Sequence, residues 1–241
     1  MTSSFSSSRR SFLSLSAVGA ASLLAGCASS YPSRGPVQTT ITYRDGMPRP
    51  APLAGGRSPE LDAMYGETFD GGYVIPAVPY QRIEPRFYRQ RVVDPTGERP
   101  GTIVVDTPRR FLYLVEPGGT AMRYGVGIGR QGFSWRGEGV IQWRQKWPKW
   151  TPPTEMIARQ PELAKYSAEN GGMSPGLNNP LGARALYIFQ GGEDTLYRLH
   201  GSPEWNSIGK AVSSGCVRLM NQDIIDLYDR VPNKARIIVR Q

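Results

Sequence analysis

The chain has 241 residues, a formal net charge of +9 and a pI near 9.8, with 39% hydrophobic and 20% charged residues. That length suits one large domain or two small ones, and that composition suits a soluble protein with a packed core. The 21 Pro and 28 Gly favour turns and extended segments over a helical bundle, so a mainly β fold is expected. No aromatic–basic motif or zinc-finger spacing accompanies the positive charge, so no nucleic-acid partner is expected. Arginines facing anionic lipid or an anionic polymer account for the charge equally well.

Residues 1–26 read as an export signal and are set aside from the fold. Ser8-Arg9-Arg10-Ser11-Phe12-Leu13 resembles a twin-arginine signal, with Ser14 where that signal often has lysine. The apolar run from Phe12 to Leu24 is shorter than the ~20 residues that a membrane span needs. It ends in Leu24-Ala25-Gly26-Cys27, which resembles a lipoprotein cleavage box. Cys27 is then the lipidated first residue of the mature chain; the alternative is an ordinary signal, cleaved nearby or retained as an anchor. The expected location is the periplasmic face, on a membrane held through that lipid, and Ala28 is compatible with outer-membrane sorting. Removing residues 1–26 deletes Arg9 and Arg10 and no acid, so the mature charge is 9 − 2 = +7.

Residues 27–57 are rich in Ser, Thr, Pro, Gly and Arg and read as a flexible tether. Residues 58–100 hold a short helix over 59–65 and a short strand over 73–75. Pro76, Pro79, Pro85 and Pro95 interrupt anything longer. This stretch is expected to pack, extended, on the domain that follows.

From 101 to 241 the pattern is short strands separated by turn signals, which points to a sandwich or barrel. Strands are expected at 102–106, 111–115, 121–127 and 140–147. A short helix follows near 153–163, with Thr151 or Thr154 as its cap. A Gly/Pro/Asn loop spans 170–182. Strands at 186–189 and 195–200 form a hairpin around 191–194 and deliver His200 at the end of the second. A helix begins at Asn221, an expected N-cap, with Ile224, Leu227, Tyr228 and Val231 on its buried face. A last strand runs over 235–239.

His200 is the sole histidine, and Cys216 is one of two cysteines. A thiol becomes a strong nucleophile as the thiolate, and a nearby imidazole is the usual means of producing it. The competing reading makes Cys216 a small buried hydrophobe. Ser213, Ser214 and Gly215 argue against that, because they suit a tight exposed turn. A turn leading into a helix also leaves free backbone N–H groups, which can hold a developing oxyanion. If Cys27 carries lipid, an intramolecular disulfide is excluded, which favours a reactive Cys216. One histidine and one thiol fall short of the three or four ligands of a zinc centre, so no metal is expected.

The stretch His200-Gly201 to Ser213-Ser214-Gly215-Cys216-Val217-Arg218-Leu219 resembles the L,D-transpeptidase catalytic domain of bacterial cell-wall enzymes, also called the YkuD domain. The similarity extends through residues 101–106, 123–127, 150–153 and 179–186, and so covers about 100 to 240. Ser214 stands where the family often has histidine. The resemblance implies a mainly β, two-sheet sandwich or barrel with short helices and a catalytic loop. It implies acyl transfer between peptidoglycan stem peptides, without a cofactor. Cys216 would attack at the third stem residue, expelling terminal D-alanine and leaving a thioester. An amine from a neighbouring stem or a protein would release that thioester; release by water would make the chain an L,D-carboxypeptidase.

In that chemistry His200 is the general acid and base, and Gly201 or Ser213 orients its ring. Gly215 contributes to the oxyanion hole. Arg218 and Ser214 would meet substrate, and Arg218 has the alternative of a structural arginine holding the turn. Trp143, Trp147, Trp150 and Tyr187 line the groove or pack in the core. A sortase would separate its His and Cys much farther, and a papain-like peptidase would place Cys before His. A non-catalytic envelope lipoprotein that binds peptidoglycan is the remaining alternative.

Overall fold

The computed structural model describes residues 58–129, 135–213 and 215–241. Cys27 and Ser214 lie outside the described residues, as does the side chain of Ser213. The stretch before residue 101 forms α1 (Pro59–Tyr65), β1 (Thr68–Asp70), β2 (Tyr73–Ile75), two 3₁₀ turns (Tyr80–Arg82 and Pro85–Phe87) and β3 (Gln90–Val93). Next come β4 (Ile103–Asp106), β5 (Phe111–Glu116), β6 (Thr120–Gly125), β7 (Ile128–Gly129) and β8 (Gly137–Lys146). After α2 (Thr154–Arg159) and a 3₁₀ segment (Pro161–Tyr166) the chain makes β9 (Arg184–Gln190) and β10 (Glu193–Ser202). A 3₁₀ turn (Trp205–Ser207), β11 (Ala211–Ser213), β12 (Val217–Met220), α3 (Asn221–Arg230) and β13 (Arg236–Arg240) complete it.

Nine strands share one sheet in the order β12-β10-β9-β8-β13-β4-β5-β6-β3. The sheet curls onto itself. Gly127, just past β6, bridges Arg218 on β12 through two backbone hydrogen bonds, N–H to O, of 2.9 and 2.8 Å. One core cluster therefore takes Ile103, Leu112 and Tyr124 from one half of the sheet and Leu186, Leu199 and Leu219 from the other. Ile224 and Leu227 of α3 seal it, so the apolar stripe expected on that helix is core. This is the mainly β sandwich or barrel implied by the sequence, built from a continuous sheet.

Local details differ from expectation for identifiable reasons. The β9–β10 turn is only Gly191-Gly192, both at positive φ, so Glu193 and Asp194 already belong to β10. Two residues at φ > 0 make the primed turn that matches the strand twist. β10 also runs on to Ser202, which places His200 inside the strand. Asn221 is the first helical residue of α3, and its side chain accepts from the Ala183 N–H at 3.0 Å instead of capping. Neither threonine caps α2, whose N-cap is Pro153.

The stretch from 58 to 93 is more than an extended strap. β3 adds an antiparallel edge strand beside β6. Tyr65, Tyr80, Ile83 and Phe87 cover Val104, Tyr113 and Val115 on the outer face of the sheet in a second core cluster. Its polar attachments are partly buried. Asp70 receives both guanidinium arms of Arg184 at 2.7 Å each, and Trp147 Nε1–H at 2.7 Å. Those bonds hold the Asp70 carboxyl below its usual range. Arg89 lies beside Asp223 and Asp226, and burial pushes the Asp223 carboxyl up to about 7.

Arg184 is 2% exposed, so loss of Asp70 would leave a buried charge without its counter-ion. Removing one partner of a buried pair costs about 3–5 kcal/mol, and the partial solvent access of Asp70 points to the lower end. Asp70→Ala is expected to lower unfolding stability by about 3 kcal/mol in urea titrations, whereas a change below about 0.5 kcal/mol would show that the clamp contributes nothing.

Candidate active site

β10 and β12 pair in parallel, with Leu199 opposite Val217 and His200 opposite Arg218. Parallel neighbours need a crossover connection, and residues 203–216 supply it. That crossover carries the 3₁₀ turn, β11 and the glycine turn, then delivers Cys216 one residue before β12. β11 pairs with β7, which ties the crossover down on its outer side. Val217 and Leu219 face the main core beside Leu199, while His200 and Arg218 take the opposite face. Sixteen residues of separation thus become adjacent strands.

His200 is 4% exposed, and its Nδ1 lies 2.6 Å from the Gly201 carbonyl. A carbonyl only accepts, so Nδ1 carries the proton and Nε2 keeps its lone pair in the neutral ring. Gly201 is itself wedged in place. A Cβ there would collide with Asn221 Oδ1 and come within 2.9 Å of Ile224 Cγ2. Asn221 Oδ1 also holds the Ala183 N–H, so Gly201, Ala183 and α3 lock together beneath the imidazole. Burial pulls the imidazole pKa down to about 4; bonds to the Gly201 and Pro180 backbone oppose it, and the charges of Arg218 and Arg198 add to the pull.

Cys216 is half-buried. Burial pushes its thiol upward, against a backbone hydrogen bond at Arg198 and the positive charges of Arg198 and Arg218. Both shifts favour an uncharged thiol and an uncharged imidazole at rest. Gly215, next to the thiol, sits at φ +140, a conformation that favours glycine. Arg218 Nη1 binds Glu204 Oε2 at 2.6 Å, and Glu204 is itself largely exposed. The structure pairs His200 with Arg218 on adjacent strands, places Gly201 next to His200, and sets Gly215 and Cys216 just before β12.

Of the aromatics, Trp147 is buried against Tyr73 and belongs with the Asp70 clamp. Trp150 pairs through its backbone with Met173. Trp143 is exposed and stacks on Tyr187. Sequence reasoning missed Asn221 as the lock under Gly201, the Pro180 contact and the Glu204–Arg218 pair. The turn-rich 179–182 stretch was a signal for the Pro180 contact; nothing local marked the other two.

The family model described as YkuD, L,D-transpeptidase catalytic domain, matches residues 100–239. "Probable L,D-transpeptidase ErfK/SrfK" of Escherichia coli (strain K12) is 32% identical over 155 residues, 61% of this chain and 46% of that protein. "Putative L,D-transpeptidase YkuD" of Bacillus subtilis (strain 168) is 47% identical over 85 residues, 35% of this chain and 48% of that protein. Among solved structures, a "Probable carnitine operon oxidoreductase caia" from Brucella melitensis is 46% identical, covering 64% of this chain and 94% of that one at a TM-score of 0.46. The chain spans about half the length of the curated relatives it matches.

A neutral resting pair makes a kinetic prediction. Alkylation of Cys216 by iodoacetamide is expected to speed up continuously from acid through neutral to alkaline pH, because the thiolate fraction grows throughout. A flat, fast rate across pH 5–8 would contradict it, since that is the behaviour of a preformed thiolate–imidazolium pair.

Proposed function

The chain belongs to the YkuD family of L,D-transpeptidase catalytic domains, and from that premise we propose that it is a peptidoglycan L,D-transpeptidase acting through a Cys216 thioester. The seat of His200 carries the reading: its Nδ1–H is spent on the Gly201 carbonyl, which leaves Nε2 as the basic nitrogen. Nε2 takes the Cys216 proton as Sγ attacks the carbonyl of the third stem residue. Negative charge develops on that carbonyl oxygen and is met by the N–H groups of Gly215 and Cys216. Each such donor is worth about 3 kcal/mol where one has been removed. Collapse breaks the amide bond, and His200 returns the proton to the departing D-alanine amine.

The second half reverses the roles. An amine from a neighbouring stem attacks the thioester, His200 accepts its proton, and the thiol is regenerated with a new cross-link. The Gly201 carbonyl acts as the third member of the constellation by fixing the imidazole tautomer. Arg218 is proposed to exchange Glu204 for a substrate carboxylate, since an exposed ion pair is held by little energy. Ser214, beside the thiol in sequence, is proposed to contact the stem.

Cys216→Ala and His200→Ala are each expected to cut D-alanine release from a tetrapeptide stem by at least ~100-fold, with fold retained by circular dichroism. Mass analysis of the muropeptides reads the product; normal release by either variant would sink the mechanism. A wild-type product of free tripeptide alone would make the chain a carboxypeptidase.

Export and lipidation are also proposed, on the Arg9-Arg10 signal and the Leu24-Ala25-Gly26-Cys27 box. Lipid on Cys27 would keep the domain at the periplasmic face of a membrane. Palmitate labelling in cells is expected for the wild type and absent in Cys27→Ser; equal labelling of both would rule the anchor out.

A further inference from the structure

Across the face that carries His200, four strands align one row of side chains. Trp143 on β8 lies opposite Tyr187 on β9, and Tyr187 lies opposite Arg198 on β10. One step back from the Leu199–Val217 pair sets Cys216 opposite Arg198, where the backbone hydrogen bond at Arg198 reaches the thiol. The side chains stack along that row. The Trp143 and Tyr187 rings lie 4.4 Å apart and 29° from parallel, and the Arg198 guanidinium sits 4.3 Å over Tyr187. Asp194 clamps Arg198 through both arms, at 2.7 and 2.8 Å.

Every member of this row is braced except at its far end. Tyr187 is 7% exposed, whereas Trp143 is 54% exposed. Pairing of β8 with β13 ends at Val140, so no strand partner from β13 flanks Trp143 on that side. The indole is thus held against Tyr187 while more than half exposed. A lone exposed aromatic is common on protein surfaces; what distinguishes Trp143 is its fixed stack on Tyr187 at the end of the row that leads to Cys216.

Spacing selects the ligand. Adjacent strands lie about 4.8 Å apart, so Trp143, three strands from Cys216, stands roughly 14 Å from the nucleophile. An extended peptide covers about 3.3–3.6 Å per residue, so the three residues from the attacked carbonyl back to the stem's N-terminus span about 10 Å. The next group outward is the amino sugar to which the stem is joined. Resting on the reading of the chain as a stem-peptide acyltransferase, we propose that Trp143 is a stacking platform for that sugar, and so selects stems still attached to glycan. A pyranose ring presents a face of C–H groups that packs on an open aromatic face. Tyr187 and Arg198 position the indole and do not themselves touch the sugar.

The test compares a disaccharide-tetrapeptide with the free tetrapeptide. Wild-type protein is expected to prefer the former in kcat/KM, mainly through KM. In Trp143→Ala that preference is expected to fall about tenfold, the loss of one aromatic contact, and Trp143→Phe should restore part of it. An unchanged preference in Trp143→Ala would overturn the proposal, as would a wild type with no preference. A binding arm uses the Cys216→Ala protein, which cannot turn over. Calorimetry is expected to show tighter binding of the disaccharide-tetrapeptide, and loss of that margin when Trp143→Ala is added. Equal affinities before and after would overturn the platform even if the wild type proves an active transpeptidase. Absence of turnover on both substrates, with the binding margin intact, would overturn the acyltransfer reading and leave the platform standing.

Discussion

The parallel pairing of β10 with β12 is the constraint on which the site depends. Two parallel neighbours cannot be joined by a tight turn, so the chain must leave the sheet and come back. The connection over 203–216 is that excursion, and its last residue is Cys216. Cys216 is therefore carried by a segment whose two ends are fixed by the sheet. Arg218, at the start of β12, also bonds the backbone of Gly127 and closes the sheet on itself. Cys216 and the closure of the sheet at Arg218 lie within three residues.

Electrostatics around the pair favour uncharged partners at rest. Arg198 and Arg218 both oppose a proton on His200, and each would stabilise a thiolate on Cys216. Burial outweighs the second effect and pushes the thiol upward. Asp194 and Glu204 partly neutralise the same two arginines. A substrate carboxylate that displaced Glu204 would keep that balance, while one that merely approached Arg218 would strengthen it. In the proposed mechanism the proton would move from sulfur to nitrogen during attack rather than before it.

The parts of this design that depend on local chemistry were legible in the sequence. The strand runs follow from residue types near one another, and the structure shows strands over nearly all the expected runs. What was not legible depends on partners distant in the chain. β3 is a modest Gln-Arg-Val-Val run whose identity as a strand comes from pairing with β6. Asp70 carries no hint that it will meet Arg184, more than a hundred residues on. Asn221 looked like a cap because caps are local; its bond to Ala183 is set by where α3 lands. The two-residue Gly191-Gly192 turn was open to a finer reading, since paired glycines are the signal for it.

The N-terminal stretch covers the outer face of the sheet and reaches the 203–216 connection through Ile208. Tyr65, Phe87 and their neighbours cover the outer sheet face, and Asp70 locks β1 to β9 through Arg184. The strands that carry His200 and Trp143 are neighbours of β9, so this clamp supports the whole row across the sheet. The central claim is that Cys216 becomes acylated by a stem peptide. Trapping the protein with a tetrapeptide donor in the absence of an amine acceptor, then mapping the adduct by mass spectrometry at low pH, addresses it directly. The account predicts a thioester carrying the tripeptide acyl group on the peptide that contains Cys216. Turnover with the acyl group on any other residue, or with none ever captured on Cys216 by rapid quench, would contradict it.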